Sequence, residues 1–279
     1  MKRDFLMTSD LSAGELAEVL EIAASVKADR LSRSDALAGH SIGIFFEKPS
    51  TRTRISCEVA IAELGAHPVA LRGGEVGIGS REAPEDVARV FSRYMSLVAM
   101  RVFSHDTLRA VGENASIPVV NLLSDVSHPC QALADLQTVA EHRPLAGTRL
   151  AYIGDGNNVV HSLLLAGGLM GMEIVVGAPA GYEPDPGIVA QAEALAAANS
   201  GRIEITNDAE AAVAGSDVVY TDVWTSMGQE EEAAKRLEAF SEYQVTGPLF
   251  AKAASDAIFM HCLPAHRGEE VSGEVMEHE

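Results

Sequence analysis

The sequence is poor in cysteine, in basic side chains and in long apolar stretches, and each shortage excludes something. Cys57, Cys130 and Cys262 are the three cysteines in 279 residues. Odd in number and far apart, they fit reduced thiols in a cytoplasm and not a disulfide scaffold. Lysine and arginine total 21 against 40 aspartates and glutamates, a formal net charge of -19. A sequence pI of ≈ 4.8 argues against nucleic acid and anionic membranes as partners. The sequence has no apolar run approaching the roughly eighteen residues a membrane-spanning helix needs. The opening "MKRDFLMTSD" lacks the continuous apolar core of a secretory signal. Low-complexity segments and short-period repeats are missing as well.

What is there is 47% hydrophobic, enough for two modest domains with separate cores. Ser12 and Glu15 form a capping-box pattern, followed by Leu16, Val19, Leu20, Ala23 and Val26 at helical spacing. Beyond that helix, short apolar runs alternate with helical patterns. Strands are expected at 41–46, 68–71, 97–102, 117–122, 149–153, 173–177, 203–205, 217–221 and 257–260. Helices are expected at 52–64, 84–95, 105–114, 129–142, 157–170, 187–199, 208–214, 229–240 and 246–254. Continuously apolar strands alternating with helices indicate an α/β fold of parallel sheets flanked by helices. The segment "HRPLAG" at 142–147 marks a boundary, giving two domains, 1–142 and 143–279.

The run "FFEKPSTRTRIS", Phe45 to Ser56, stands out in so acidic a chain. It follows the strand pattern "SIGIFF" and gathers Arg52, Arg54, Ser50, Thr51, Thr53 and Ser56. Pro49 turns the chain, and Ser50 and Thr51 are placed to cap the helix that follows. A helix start with free N–H groups, hydroxyl donors and the Arg52 fork describes a phosphate cradle without a glycine-rich loop. A capped surface helix with solvated arginines is an equal reading of this run alone.

Five segments in order decide it: "FEKPSTRTR", "HPCQALADLQT" at 128–138, "GDGNN" at 154–158, "DVWTSMGQE" at 222–230 and "HCLPAHRGEEV" at 261–271. Together they resemble the ornithine carbamoyltransferases of the aspartate/ornithine carbamoyltransferase superfamily, from the first helix to the end of the chain. Ser-Thr-Arg-Thr and His-Pro-x-Gln mark carbamoyltransferases generally; Ser-Met-Gly and His-Cys-Leu-Pro point to ornithine as acceptor. The resemblance implies a cytoplasmic homotrimer that makes L-citrulline and phosphate from carbamoyl phosphate and L-ornithine, with neither cofactor nor metal.

It also implies roles. Ser50, Thr51, Arg52 and Thr53 hold the phosphate, and Arg101 bridges phosphate and carbonyl oxygen. His128 donates to that oxygen, Gln131 accepts from the carbamoyl NH2, and Pro129 and Cys130 lie between them. Asn158, Asp222, Ser226 and Met227 hold the α-amino and α-carboxylate groups of ornithine. Cys262 is the catalytic cysteine, and the Leu263 carbonyl orients the δ-amine. The proton acceptor stays open among Asp222, Cys262 and the departing phosphate.

The residues alone give weaker readings at these places. "YIGDGNNVVHS" opens like a dinucleotide fingerprint, but Val159 replaces its third glycine. His261, Cys262 and His266 lack the second half-site of a structural zinc centre. Gly77 stands where the resembled enzymes often place a glutamine that reaches a neighbouring subunit, leaving Ser80 or Arg81 as substitutes. The chain ends at Glu279, without the further strand-like segment and final helix of those enzymes, so weaker carbamoyl phosphate binding is expected. A carbamoyltransferase for another amine, or a catalytically silent binding protein, are the alternative functions.

Overall fold

The computed structural model describes residues 2–225 and 230–277. The chain falls into two compact units, Met1–Leu133 and Ala134–Glu279. In chain order the first holds α1 (Ala13–Ala28), β1 (Ser41–Phe46), α2 (Arg52–Glu63), β2 (His67–Arg72), α3 (Gly73–Val76), α4 (Pro84–Tyr94), β3 (Leu97–Arg101), α5 (His105–Asn114) and β4 (Val119–Leu123). Helix α6 (Pro129–His142) crosses the division. The second holds β5 (Arg149–Ile153), α7 (Asn158–Leu169), β6 (Glu173–Gly177), α8 (Pro186–Ala198), β7 (Arg202–Thr206), α9 (Ala209–Val213), β8 (Val218–Thr221), α10 (Ala233–Ala239), α11 (Gly247–Phe250), β9 (Ile258–His261) and α12 (Gly273–Met276).

The first unit has a four-stranded sheet in the order β2-β1-β3-β4, the second a five-stranded sheet in the order β7-β6-β5-β8-β9. Every ladder is parallel. Helices cover both faces of such sheets, so the central strands β1, β3, β5 and β8 are buried almost throughout, while the edge strand β2 is half exposed. In the first unit Phe45, Phe91, Met100 and Leu108 pack on one side, Ile42, Ile44, Ile61 and Leu122 on the other. The N-terminal arm covers the β4 edge: Phe5 N–H donates to the Val119 carbonyl at 2.9 Å, and Asn121 N–H to that of Phe5 at 2.8 Å.

In the second unit Ile153, Val219, Trp224, Phe240 and Tyr243 form the core around β5 and β8. Helix α7 is buried from Val159 to Leu169. Gly168 lets α8 approach closely, since a Cβ there would lie 2.9 Å from the Ala192 carbonyl oxygen.

Three expectations need correction. The helix expected at 246–254 stops at Phe250. The following backbone is taken by the loop before β8: Gly215 N–H donates to Lys252 O at 3.0 Å, and Ala254 N–H to Ser216 O at 2.9 Å. The helix expected at 229–240 begins within a segment outside the described residues; among those described, α10 covers Ala233–Ala239. Thr51, at the N-cap of α2, has helical dihedrals and makes no side-chain cap. The Ser12–Glu15 capping box of α1 forms as expected.

Candidate active site

In parallel sheets, ligand-binding groups collect beyond the carboxyl ends of the strands. In the first unit, β1 ends at Phe46 beside Arg101, the last residue of β3. Arg101 is buried and donates from its guanidinium to Thr53 Oγ1 at 3.4 Å. The start of α2 and the end of β3 are thus joined through Thr53 and Arg101. With no side chain capping the first turn of α2, its N–H groups and positive dipole end suit an anion. A cavity of about 690 Å³ beside it is lined by Lys48, Ser50, Thr51, Arg54 and Arg72, with Glu47. Arg52 is exposed and lines a separate hollow with Ile55 and Val59.

His128 and Gln131 come together at the start of α6: the His128 carbonyl accepts from Gln131 N–H at 3.1 Å. Pro129 opens the helix, where its missing N–H costs nothing. Burial, with Arg101's charge second, pushes the His128 pKa down to about 3. The imidazole is therefore neutral at physiological pH. Asn121 of β4, which sequence reasoning missed, holds the turn leading to it. Its Nδ2 donates to Ser127 O at 3.2 Å, Ser124 Oγ at 3.3 Å and Leu6 O at 2.8 Å. Cys130 donates its thiol to the Asn121 carbonyl at 3.5 Å; burial drives its pKa up to about 12, which makes it inert.

The loop at 73–82 closes on itself. Gly77 has φ 69°, and a Cβ there would lie 2.7 Å from Arg81 Cβ, so glycine suits the position. Ser80 Oγ donates to Gly77 O at 3.1 Å, and Arg81 donates to Glu75 O at 3.1 Å.

In the second unit β5 runs into Gly154-Asp155-Gly156-Asn157, and α7 begins at Asn158. Gly156 is explained without a dinucleotide: a Cβ would sit 2.3 Å from the Glu183–Pro184 peptide. Asp155 pairs with Arg236 at 3.0 Å, both nearly buried. Burial raises the Asp155 pKa against Arg236's pull. Arg236 also donates to Trp224 O at 2.9 Å and stacks over Tyr182.

Asp222 follows β8 and Cys262 follows β9. The Cys262 thiol donates to Asp222 Oδ1 at 2.9 Å, and Asn157 Nδ2 donates to Asp222 Oδ2 at 2.8 Å. Burial, followed by the charge of Asp222, pushes the Cys262 thiol well above its ordinary range. Asn158 is half-buried at the first position of α7. Ser226 and Met227 lie outside the described residues.

Leu263 takes a left-handed φ of 60°, which a non-glycine residue adopts only when its surroundings impose it. Leu263 N–H donates to His261 Nδ1 at 2.8 Å, and His261 Nε2 faces Glu270 Oε1 at 3.1 Å. Glu270 also accepts from His266 N–H at 2.6 Å. Burial opposes ionisation of Glu270, yet these bonds hold its pKa below the usual carboxylate value. Donor atoms of Asp222, His261 and Cys262 lie within 4.8 Å of one another, the spacing of a metal centre. Both His261 nitrogens are already engaged, so a cation there would have to break the Leu263 and Glu270 bonds.

Two family models cover almost the whole chain. The carbamoyl-P binding domain of aspartate/ornithine carbamoyltransferase matches residues 3–141, and the Asp/Orn binding domain matches 146–279. The chain is 51% identical over 278 residues to the ornithine carbamoyltransferase of Acidothermus cellulolyticus, covering 99% of this chain and 89% of the relative. It is 50% identical over 279 residues to that of Symbiobacterium thermophilum, covering 99% and 90%. Among solved structures, ornithine carbamoyltransferase from Pyrococcus furiosus superposes with a TM-score of 0.95 at 45% identity, covering 99% of this chain and 89% of that one.

Proposed function

The chain belongs to the aspartate/ornithine carbamoyltransferase family, and on that premise we propose that it transfers the carbamoyl group of carbamoyl phosphate to the δ-amine of L-ornithine. The products are L-citrulline and phosphate. The observation that carries this reading is the Asp222–Cys262 pair at the carboxyl ends of β8 and β9, in the half matched by the Asp/Orn binding domain.

Ser50, Thr51, Arg52 and Thr53 hold the phosphate at the start of α2, and Arg101 balances charge on phosphate and carbonyl oxygen. The nitrogen lone pair attacks the carbamoyl carbon, charge builds on the carbonyl oxygen, and the bond to phosphate breaks. Fixed donors aimed at that oxygen lower the barrier. Neutral His128 supplies one such donor and, with its pKa near 3, does not act as an acid at pH 7. Gln131 orients the carbamoyl NH2, with Pro129 and Cys130 shaping the backbone beside it. Asp222 binds the α-ammonium and Asn158 the α-carboxylate; Ser226 and Met227 complete that end, and the Leu263 carbonyl faces the δ-amine.

The δ-amine must be neutral to attack. With a lysine-like pKa, this costs about 4 to 5 kcal/mol at pH 7. Cys262 keeps its own proton at neutral pH, so it takes the amine's proton only by passing one to Asp222. The departing phosphate is the rival acceptor. A Cys262→Ala variant with a lower rate and a displaced pH–rate profile supports the relay; an unchanged profile rejects it.

The function itself is tested by offering ornithine, aspartate and putrescine in one assay. Citrulline from ornithine, with no product from the other two, is expected. Phosphate binding by calorimetry without turnover would replace the catalyst with a silent binder. The reading extends to a homotrimer in the cytoplasm; Ile55 and Val59, exposed on α2, offer an apolar face to a neighbouring copy, and light scattering checks the mass.

A further inference from the structure

Asn157 makes more bonds than capping a helix requires. Its Oδ1 accepts from Val159 N–H at 2.9 Å and Val160 N–H at 3.3 Å, and from the Tyr152 hydroxyl at 3.3 Å. Three donors converging on one atom identify it as the oxygen. The amide nitrogen is thereby aimed at Asp222 Oδ2, 2.8 Å away. The other Asp222 oxygen takes the Cys262 thiol. The carboxylate is thus gripped from two sides, by an amide rooted between β5 and α7 and by a thiol at the end of β9.

We propose that Asn157 is a positioning residue for the amino-acid end of the site: its Nδ2–H aims the Asp222 carboxylate at the α-ammonium of ornithine. The inference rests on the function proposed above. Asn157 acts through Asp222, and Asn158, its neighbour in sequence, is the direct contact. The groups surrounding the pair are Tyr152 and Asp155 from β5 and its turn, Tyr220 from β8, Cys262 and His261 from the end of β9, and Asp135 from α6, which accepts from Tyr220 at 3.0 Å. Arg236 from α10, beside Glu232, is the cation of this set and is committed to Asp155. The hold on Asp222 is therefore exerted by neutral donors, and removing one changes its aim.

Two substitutions separate this role from capping, because serine and aspartate are both good N-caps. Asn157→Ser keeps a cap but does not reach Asp222. The KM for ornithine should rise about 10- to 100-fold, the worth of one hydrogen bond to a charged group, by the same factor at every pH. Asn157→Asp has the shape of the original and places an oxygen where Nδ2 stood. Two carboxyl groups at that separation share a proton. While protonated, the new carboxyl donates to Asp222 as the amide did; once ionised, it repels Asp222.

The ratio of the variant's ornithine KM to the wild-type KM should therefore be near one on the acid side and climb as pH rises through the pair's apparent pKa. Taking the ratio cancels the titration of ornithine itself. The KM for carbamoyl phosphate should hold, and on the acid side the melting temperature of Asn157→Asp should hold as well. L-norvaline, which keeps the α-amino and α-carboxylate groups but lacks the δ-amine, should lose calorimetric affinity by the same factor as ornithine. A pH-independent ratio for Asn157→Asp, or a wild-type ornithine KM for Asn157→Ser, overturns the inference while wild-type turnover leaves the function standing. Should one variant fail to fold, the other decides by the same criterion. A wild-type protein that neither forms citrulline nor binds norvaline overturns both.

Discussion

His128 shows how surroundings choose a side chain's task. Free histidine titrates near 6.5; here burial and Arg101 hold the group neutral down to about pH 3. As pH falls, the unfolded chain therefore takes up this proton first. The stabilisation is complete above pH 6.5 and is lost progressively below it, at about 1.4 kcal/mol per pH unit. Between pH 7 and pH 5 the wild type should lose about 2 kcal/mol more stability than His128→Asn. Urea unfolding of both proteins at the two pH values measures this. Equal losses would mean that His128 charges freely in the folded protein. Cys130, two residues on, shows the same burial acting on an acid, silencing a thiol that stands inside a reactive segment.

At the scale of elements, the turn after β5 is fastened by a buried ion pair. Arg236 holds Asp155 with one hand and the Trp224 carbonyl with the other. Arg236→Met strands Asp155 as a buried charge and should cost about 3–5 kcal/mol in denaturant unfolding. Adding Asp155→Asn should recover part of that loss, since the double variant buries no unpaired charge.

The alternation of apolar runs made the strands legible in the sequence, because in a parallel sheet covered on both faces each central strand is apolar along its whole length. Pairing between elements was not legible. Nothing in "EAAKRLEAF" announces that Arg236 turns inward, and "GDGNN" does not say which asparagine caps the helix. The helix expected through 254 ended at Phe250 because the loop before β8 claimed the Lys252 carbonyl and the Ala254 N–H, a long-range effect that local propensity does not carry. Asn121 and Glu270 escaped notice for the same reason: each acts by bonding backbone distant in sequence or turned back on itself.

At the scale of the whole molecule, two parallel sheets give each unit one rim where strands end. In the second sheet, β5 and β8 are neighbours although β6 and β7 come between them in sequence. The chain departs from β5 toward one edge and returns at β8 toward the other, leaving the crevice where Asn157, Asn158 and Asp222 hang. The rim at which the strands begin bears none of these side chains. Ser200, exposed in the bend before β7, belongs to it. That far shore is spare ground. A dye attached through Ser200→Cys, whose side chain points into solvent, should leave citrulline production intact, whereas Gly156→Cys, pressed against the Glu183–Pro184 peptide, should abolish it. An affinity handle, a dye or a surface tether therefore has a berth on the side of this sheet that the chemistry never visits.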